Sequence, residues 1–272
     1  MKMHPVDLWN RFARERRNAA AAEGDYWLSK AQAYSRALDA RWAEGKDETR
    51  DSLARLFADR TIRTVLDIGA GTGQWSLFFA RMGADVTALE PSAGMRAVLL
   101  DNIMAAPTAA KRIRIVDGRW PERGAERYDL SFCSHAMYEW DDLAGAIAAL
   151  RERTRRRVVL TIRAPYADDF YARVAARGCP DAPYSGPDFP LLYAALLEMG
   201  IFADVCFESR DTRHVRRFDS IDAAVSVIRA RFDAAADAAT IRALILSEGY
   251  ADERGRVKIP MRGKTACVSF KP

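Results

Sequence analysis

The sequence predicts an α/β protein built on a doubly wound, mostly parallel sheet of seven strands with helices on both faces. Three observations carry that prediction. Apolar segments of four to seven residues alternate with helix-length amphipathic segments. A glycine-rich turn, GAGTG at residues 69–73, joins the first of those strands to a helix. Acidic residues, Glu90 and Asp117, stand at the ends of the next two strands, the edge where ligands bind in such sheets.

The elements follow in order. Residues 5–60 read as helical throughout: Leu8 and Phe12 are four apart, as are Tyr34, Leu38 and Trp42, so each set shares one helical face. Leu53, Leu56 and Phe57 form a further short amphipathic segment after Asp51-Ser52. These residues, 1–60, are expected to form an N-terminal helical cap. From residue 61 the period changes. Strand one is Arg63–Ile68, and the helix Gln74–Met82 that follows ends at Gly83, a residue suited to a helix C-terminus. Strand two is Asp85–Glu90, after which Ser92 can cap a helix starting near Ala93. Strands three, four and five are Ile113–Val116, Tyr128–Ser134 and Val158–Arg163, with a helix at Asp142–Arg153 joining the last two.

After Pro165 the pattern loosens. Helices near 168–177 and 188–199 surround a Pro-rich stretch, Cys179–Pro190; a strand follows at Ala203–Ser209. Helices near 220–232 and 237–247 precede a final strand, Thr265–Phe270. The expected division is therefore a cap (1–60) and one elaborated domain (61–272). That domain has a ligand-binding half at 61–164 and a half with a helical insertion at 165–272.

Composition narrows the class. The chain has 272 residues, 49% hydrophobic and 29% charged, which excludes collagen-like, low-complexity and disordered readings. No apolar run approaches the roughly 20 residues that cross a bilayer, and MKMHPVDLWNRFARERR lacks the apolar segment of a secretory signal. The four cysteines (133, 179, 206, 267) are far apart without CxxC spacing, so neither a metal ribbon nor a disulfide framework is expected. The reading is a cytoplasmic protein, monomeric or homodimeric, without a metal. The net charge of +5 rests on seven Lys and 35 Arg. Phosphate binding or solvated helix faces would both account for it, so position must decide.

The segment VLDIGAGTGQW, Val65–Trp75, has the most specific pattern. Gly69, Gly71 and Gly73 permit a tight strand-to-helix turn and close approach of a ligand to the backbone. The next helix offers free N–H groups and partial positive charge at its N-terminus. A dinucleotide fingerprint would put Gly at position 74, where Gln stands; a phosphate-binding GK[ST] ending is also absent. Asp67 precedes the loop, Glu90 can accept two ribose hydroxyls, and Asp117-Gly118 can meet an adenine amino group.

This set resembles the class I S-adenosylmethionine (SAM)-dependent methyltransferases of the small-molecule type, whose fold is Rossmann-like. VLDIGAGTG matches the family's glycine loop, and ALEPSAGM its acidic end of strand two. VDGRW matches its Asp after strand three, and Tyr128-Asp129 the pair that opens strand four. The match covers roughly residues 61–164. It implies SAM as cofactor, with S-adenosylhomocysteine as product. Gly69, Ala70 and Gly71 would line the methionine portion, Gly73 would complete the turn, and Asp67 would hold the loop or the amino group. Glu90 would bind the ribose beside Pro91 and Ser92. Asp117 and Gly118 would contact adenine, with Trp120 either covering that ring or packing the loop. Ser134 and His135 would lie near the sulfonium. DYWLSKAQAYSRAL, Asp25–Leu38, is similar to a capping helix of the family, which makes Tyr26, Trp27 and Tyr34 lid residues or core.

Methyl transfer is an in-line displacement for which positioning in a dry pocket supplies most of the acceleration. His135 is then a general base, a substrate orienter or a pocket wall, with Tyr138 beside it in sequence. SHAMYEW after strand four lacks the (D/N/S)PP(Y/F/W) of nucleic-acid amino-methyltransferases, and Cys179-Pro180 is too far downstream for cytosine chemistry. The acceptor pocket is expected from Tyr138, Glu139, Trp140, Arg163, Tyr166, Tyr171, Tyr184 and Phe189, walls that suit a small organic molecule. The run RERTRRR, Arg151–Arg157, should lie at the opposite edge of the sheet, so nucleic acid is not expected as a partner. The competing readings are an RNA or nucleobase methyltransferase and a SAM-binding module without catalysis.

Overall fold

The computed structural model describes residues 4–43, 48–58, 60–122, 124–178, 186–209, 212–230, 232 and 235–272. Cys179, Pro180 and Tyr184 lie outside the described residues. The chain divides into two compact units, the first made of Met1–Ile162, Tyr193–Ser209 and Ala266–Pro272, the second of Arg163–Leu192 and Arg210–Thr265. The first 60 residues thus belong to the same unit as the glycine loop, and the second unit starts two residues before Pro165.

In the first unit the helices α1 (Pro5–Glu23), α2 (Ala31–Ala43) and α3 (Glu48–Leu56) precede the sheet. The predicted helical run is interrupted at Gly24, whose φ of 72° ends α1, and a 3-10 turn at Tyr26–Ser29 follows. Strands β1 (Thr64–Ile68), β2 (Asp85–Leu89) and β3 (Ile113–Val116) alternate with α4 (Gln74–Arg81), α5 (Ala93–Met104) and the short α6 (Pro107–Ala110). Then come β4 (Tyr128–Ser134), α7 (Leu143–Arg153) and β5 (Thr154–Pro165), which starts directly at the end of α7, earlier than predicted. β1 pairs in parallel with β2 and β4, β2 with β3, and β4 with β5. α8 (Phe170–Gly178) and α9 (Phe189–Glu198) lead to β6 (Asp204–Phe207), which pairs antiparallel with the C-terminal part of β8 (Val257–Phe270).

The strand order β3-β2-β1-β4-β5-β8-β6 is that of a doubly wound sheet with its last strand inserted between β5 and β6, antiparallel to β6. Burial explains the strand sequences: Val65, Leu66, Val86, Ala88, Leu130 and Phe132 are all at most 2% exposed, as strands covered on both faces require. Phe57, Phe79, Phe132 and Trp75 fill the layer between sheet and helices with ring centroids 4.8–6.1 Å apart.

The sheet has eight strands where seven were predicted. The additional strand is β7 (Thr212–Phe218), which pairs antiparallel with β8 from Thr212↔Gly263 to Phe218↔Val257. TRHVRRF has cations at three of seven positions, so the apolar alternation that marks a half-buried strand is missing. The final strand accordingly begins at Val257 rather than Thr265. β7, α10 (Ile221–Ala230), α11 (Ala238–Ser247) and α8 enclose the second unit's own core of Phe170, Tyr171, Val174, Ile228, Ile241 and Leu244. No helix among the described residues is long and apolar enough to cross a membrane.

Candidate active site

A cavity of about 1090 Å³ lies within the first unit at the C-terminal ends of its parallel strands. Its walls come from Gly69 and Gly71, from Glu90–Ala93, from Gly118–Pro121, from Ser134–Ala136 and from Tyr138–Asp142. Arg16, Arg17, Gly24–Trp27 and Tyr34 close it from the N-terminal helices. A smaller depression of about 270 Å³ sits at the opposite edge, where Arg112 and Arg114 are already paired with Asp85 and Glu126.

The glycine loop is forced by sterics. Gly69, Gly71 and Gly73 all have positive φ, and a Cβ at residue 73 would lie 2.1 Å from Leu99 Cδ1. The loop's N–H groups are less available than the sequence implies. Those of Gly69 and Ala70 donate to the Leu89 carbonyl, and that of Gly71 donates to Glu90 Oε2 at 2.8 Å. Ala70 is buried and, unlike its glycine neighbours, does not line the cavity; nor does Gly73.

Glu90 is 6% exposed and its second oxygen accepts from Ser92 N–H at 2.8 Å. Burial pushes its carboxyl above the ordinary range, against the hydrogen bonds from Ser92 and Gly71 and the nearby Arg96 charge. Asp67 lies behind the loop rather than in the cavity and accepts from Ser76 Oγ at 2.6 Å. Its full burial, together with the Glu90 charge, raises its pKa to about 7. Its contact is with the start of α4, not with the cavity.

Asp117 departs from its predicted place. It is exposed, does not line the cavity, and pairs with Arg96 Nη2 at 2.7 Å, while Arg96 Nη1 donates to the Glu90 carbonyl. Arg96 from α5 thus competes for the carboxylate that the adenine was expected to meet. Trp120 lines the cavity, is 7% exposed, and its Nε1 donates to the Ala146 carbonyl.

At the exit of β4, Ser134 Oγ accepts from Thr161 Oγ1 at 2.8 Å. His135 has a φ of 53°, uncommon for a residue with a Cβ, and its N–H donates to the Thr161 carbonyl. Its Nδ1 is 2.9 Å from Tyr138 Oη, and the guanidinium of Arg16 lies 5.1 Å from the Tyr138 ring centroid. Cys133 is fully buried, which pushes its thiol up and keeps it protonated.

Tyr26 packs edge-on against Trp27, and Trp27 against Tyr34. Trp27 also packs on Ala31, Met95 and Val98, so these aromatics are cavity wall and local packing at once. Sequence reasoning missed the residue that fixes them. Asp25 accepts hydrogen bonds from Trp27 N–H, Ser92 Oγ and Gly94 N–H, tying the 3-10 turn to the start of α5. It also missed the network in which Gln74 Nε2 donates to Ser35 and Asp39 while Asn102 donates to Ser35 and the Thr72 carbonyl. The one cue was position 74, noted only for not being glycine. Tyr138, Glu139 and Trp140 line the cavity as predicted, whereas Arg163, Tyr166, Tyr171 and Phe189 belong to the second unit, where Tyr171 is buried in the core. Among the described residues there is no cluster of three metal-ligating side chains.

Comparison with known proteins converges on the same elements. Residues 39–219, about two thirds of the chain, match a family model described as a methyltransferase domain. A magnesium-protoporphyrin O-methyltransferase of Rhodobacter capsulatus is 30% identical over 120 residues, 44% of this chain and 54% of that protein. The chain therefore spans about half the length of that relative. Among solved structures, the YcgJ protein of Bacillus subtilis aligns with a TM-score of 0.51 at 14% identity, over 83% of this chain and 99% of that one. Magnesium protoporphyrin IX methyltransferase from Synechocystis, with bound S-adenosylhomocysteine, aligns with a TM-score of 0.46 at 19% identity, over 60% and 76%.

Proposed function

The chain belongs to the methyltransferase-domain family, and from that premise we propose that it transfers the methyl group of SAM to a small organic acceptor in the 1090 Å³ cavity. The observation that carries this reading is the convergence of Gly69, Gly71, Glu90, Ser134 and His135 on one cavity.

The residues present fit the cofactor. A side chain at Gly69 would collide with Ala136, so the loop after β1 and the turn after β4 can meet at the cavity only because residue 69 is glycine. Each Glu90 oxygen accepts one backbone hydrogen bond and keeps a second acceptor position for a ribose hydroxyl. Pro91 and Ser92 stand beside it, Gly118 and Trp120 would flank the adenine, and Asp117 would act through Arg96. Tyr26, Trp27 and Tyr34 would cover the site as a lid held by Asp25. When bound, SAM supplies an electrophilic methyl on a sulfonium.

The protein's own contribution is orientation and removal of water. His135 holds an acceptor at the exit of β4 and, where that acceptor must lose a proton, receives it on the imidazole. Tyr138 Oη fixes the imidazole through Nδ1. Of the acceptors to assay, magnesium protoporphyrin comes first because of the Rhodobacter relative. The alignment spans 44% of this chain, however, so a panel of phenols, amines, thiols and carboxylates is needed beside it.

The test is calorimetric titration of SAM into the wild type and Glu90→Ala, followed by methyl transfer from radiolabelled SAM to that panel. Loss of the ribose-binding carboxylate should weaken SAM binding by tenfold or more, about 1.5–3 kcal/mol for hydrogen bonds to a charged group. Unchanged affinity would refute the cofactor site. SAM binding without transfer to any acceptor would leave a non-catalytic binding module.

A further inference from the structure

The solvent face of the β7–β8 ladder is cationic along its length. Thr212–Phe218 and Val257–Thr265 together contain six Lys or Arg and no Asp or Glu; of these Arg216 turns to the other face, over the Tyr171 ring, while Arg217, Lys258 and Arg262 are exposed. The antiparallel register sets like charges opposite one another, Arg217 against Lys258. Alternation sends Val257, Ile259 and Met261 inward, each at most 1% exposed, and leaves Lys258, Pro260 and Arg262 exposed. Val215 and Arg217 are exposed on β7, so they extend the same face.

Like charges directly opposite across strands destabilise a sheet. Several arginines on other strands and strand ends have carboxylates beside them: Arg112 with Asp85, Arg114 with Glu126, Arg157 with Asp204. Even the run RERTRRR is used internally, since Arg153 donates to the Glu122 and Glu126 carbonyls and Arg155 to that of Arg127. Among the described residues, Arg217, Lys258 and Arg262 are in no ion pair; Arg262 instead lies over the Tyr166 ring, 5.8 Å from its centroid. Protection of an edge strand needs a charge or two, not a face from which acids are absent.

We propose that this face binds the phosphate backbone of nucleic acid, without reading base sequence. A polyanion with regularly spaced charges relieves the Arg217–Lys258 repulsion and meets Arg262 on the same face. An anionic membrane surface fits less well, because the face carries no exposed aromatic ring to enter the headgroup layer, only Val215 and Pro260. The assignment is independent of the methyl-transfer reading, since none of these residues lines the 1090 Å³ cavity.

The experiment is fluorescence anisotropy of a labelled 20-base-pair duplex of arbitrary sequence, titrated with the full chain between 50 and 200 mM salt. Three phosphate contacts imply a slope of log K against log salt of about −3. Lys258→Glu/Arg262→Glu should abolish binding, and the neutral Lys258→Gln/Arg262→Gln should bring the slope toward −1. Unchanged SAM affinity identifies variants that remain folded. No binding at 50 mM salt, or binding indifferent to these substitutions, overturns the proposal. So does binding to phosphatidylserine vesicles that depends on the same residues while the duplex does not bind.

Discussion

Gly69 and Ala136 face each other so closely that a Cβ on residue 69 would lie 2.2 Å from the Ala136 Cβ. The loop after β1 and the turn after β4 therefore set each other's position. Gly69→Ala must displace the turn that bears His135, and it also places a Cβ at a φ of 68°. The left-handed strain alone costs about 1–2 kcal/mol. SAM affinity should fall by tenfold or more in calorimetry. Gly200→Ala, at a φ of 72° with nothing within 4 Å, separates strain from displacement and should leave SAM affinity unchanged.

Asp67 links the loop to pH. Its pKa is raised from 3.8 to about 7, so between those values the native state holds a proton that the unfolded chain has lost. The unfolded state then binds fewer protons, and stability falls as pH rises through the window, by up to about 1.4 kcal/mol per pH unit. Calorimetric melting of the wild type should show Tm falling from pH 5 to 7 and levelling above. Asp67→Asn should have a visibly shallower profile; an identical slope would remove Asp67 as its source.

Asp25→Ala should loosen the 3-10 turn, because three donors, Trp27 N–H, Ser92 Oγ and Gly94 N–H, lose their shared acceptor. A cap of this kind contributes about 1 kcal/mol. Urea denaturation should register that loss, and SAM affinity should fall severalfold as the aromatic wall of Tyr26 and Trp27 detaches. A variant with wild-type affinity would show that this wall does not cover the cofactor.

His135→Gln tests proton transfer at the exit of β4. If the acceptor is deprotonated there, kcat should fall by about 10²–10⁴ with the KM for SAM unchanged. Tyr138→Phe removes the oxygen 2.9 Å from Nδ1 and should lower kcat by a smaller factor. Undiminished turnover in His135→Gln would reduce His135 to a wall of the cavity.

The parallel half of the fold was legible because buried strands are continuous apolar runs and the glycine loop has few steric alternatives. Glu90 was found from its place at a strand end, and its burial supports the reading. Asp117 was expected to face the ligand but turns to solvent and to Arg96, which is 21 residues away in sequence, so nothing local announces their pairing. β7 was hidden by its own cations, since Arg213, Arg216 and Arg217 erase the alternation that would have marked it. Asp25 was overlooked because its partners, Ser92 and Gly94, meet it only once the chain has folded.

The strand order has a consequence for how the protein is made. A nascent chain that has reached Ser209 already holds β1 to β6, yet β6 neighbours only β8 in the sheet, and β8 neighbours β5. Until Ala266–Phe270 is synthesised, β6 has no strand to join and the edge of β5 stands open. The ribosome therefore delivers the strand that joins β5 to β6 after both of its neighbours. The same late strand completes β7's ladder, so both units wait on one segment of chain.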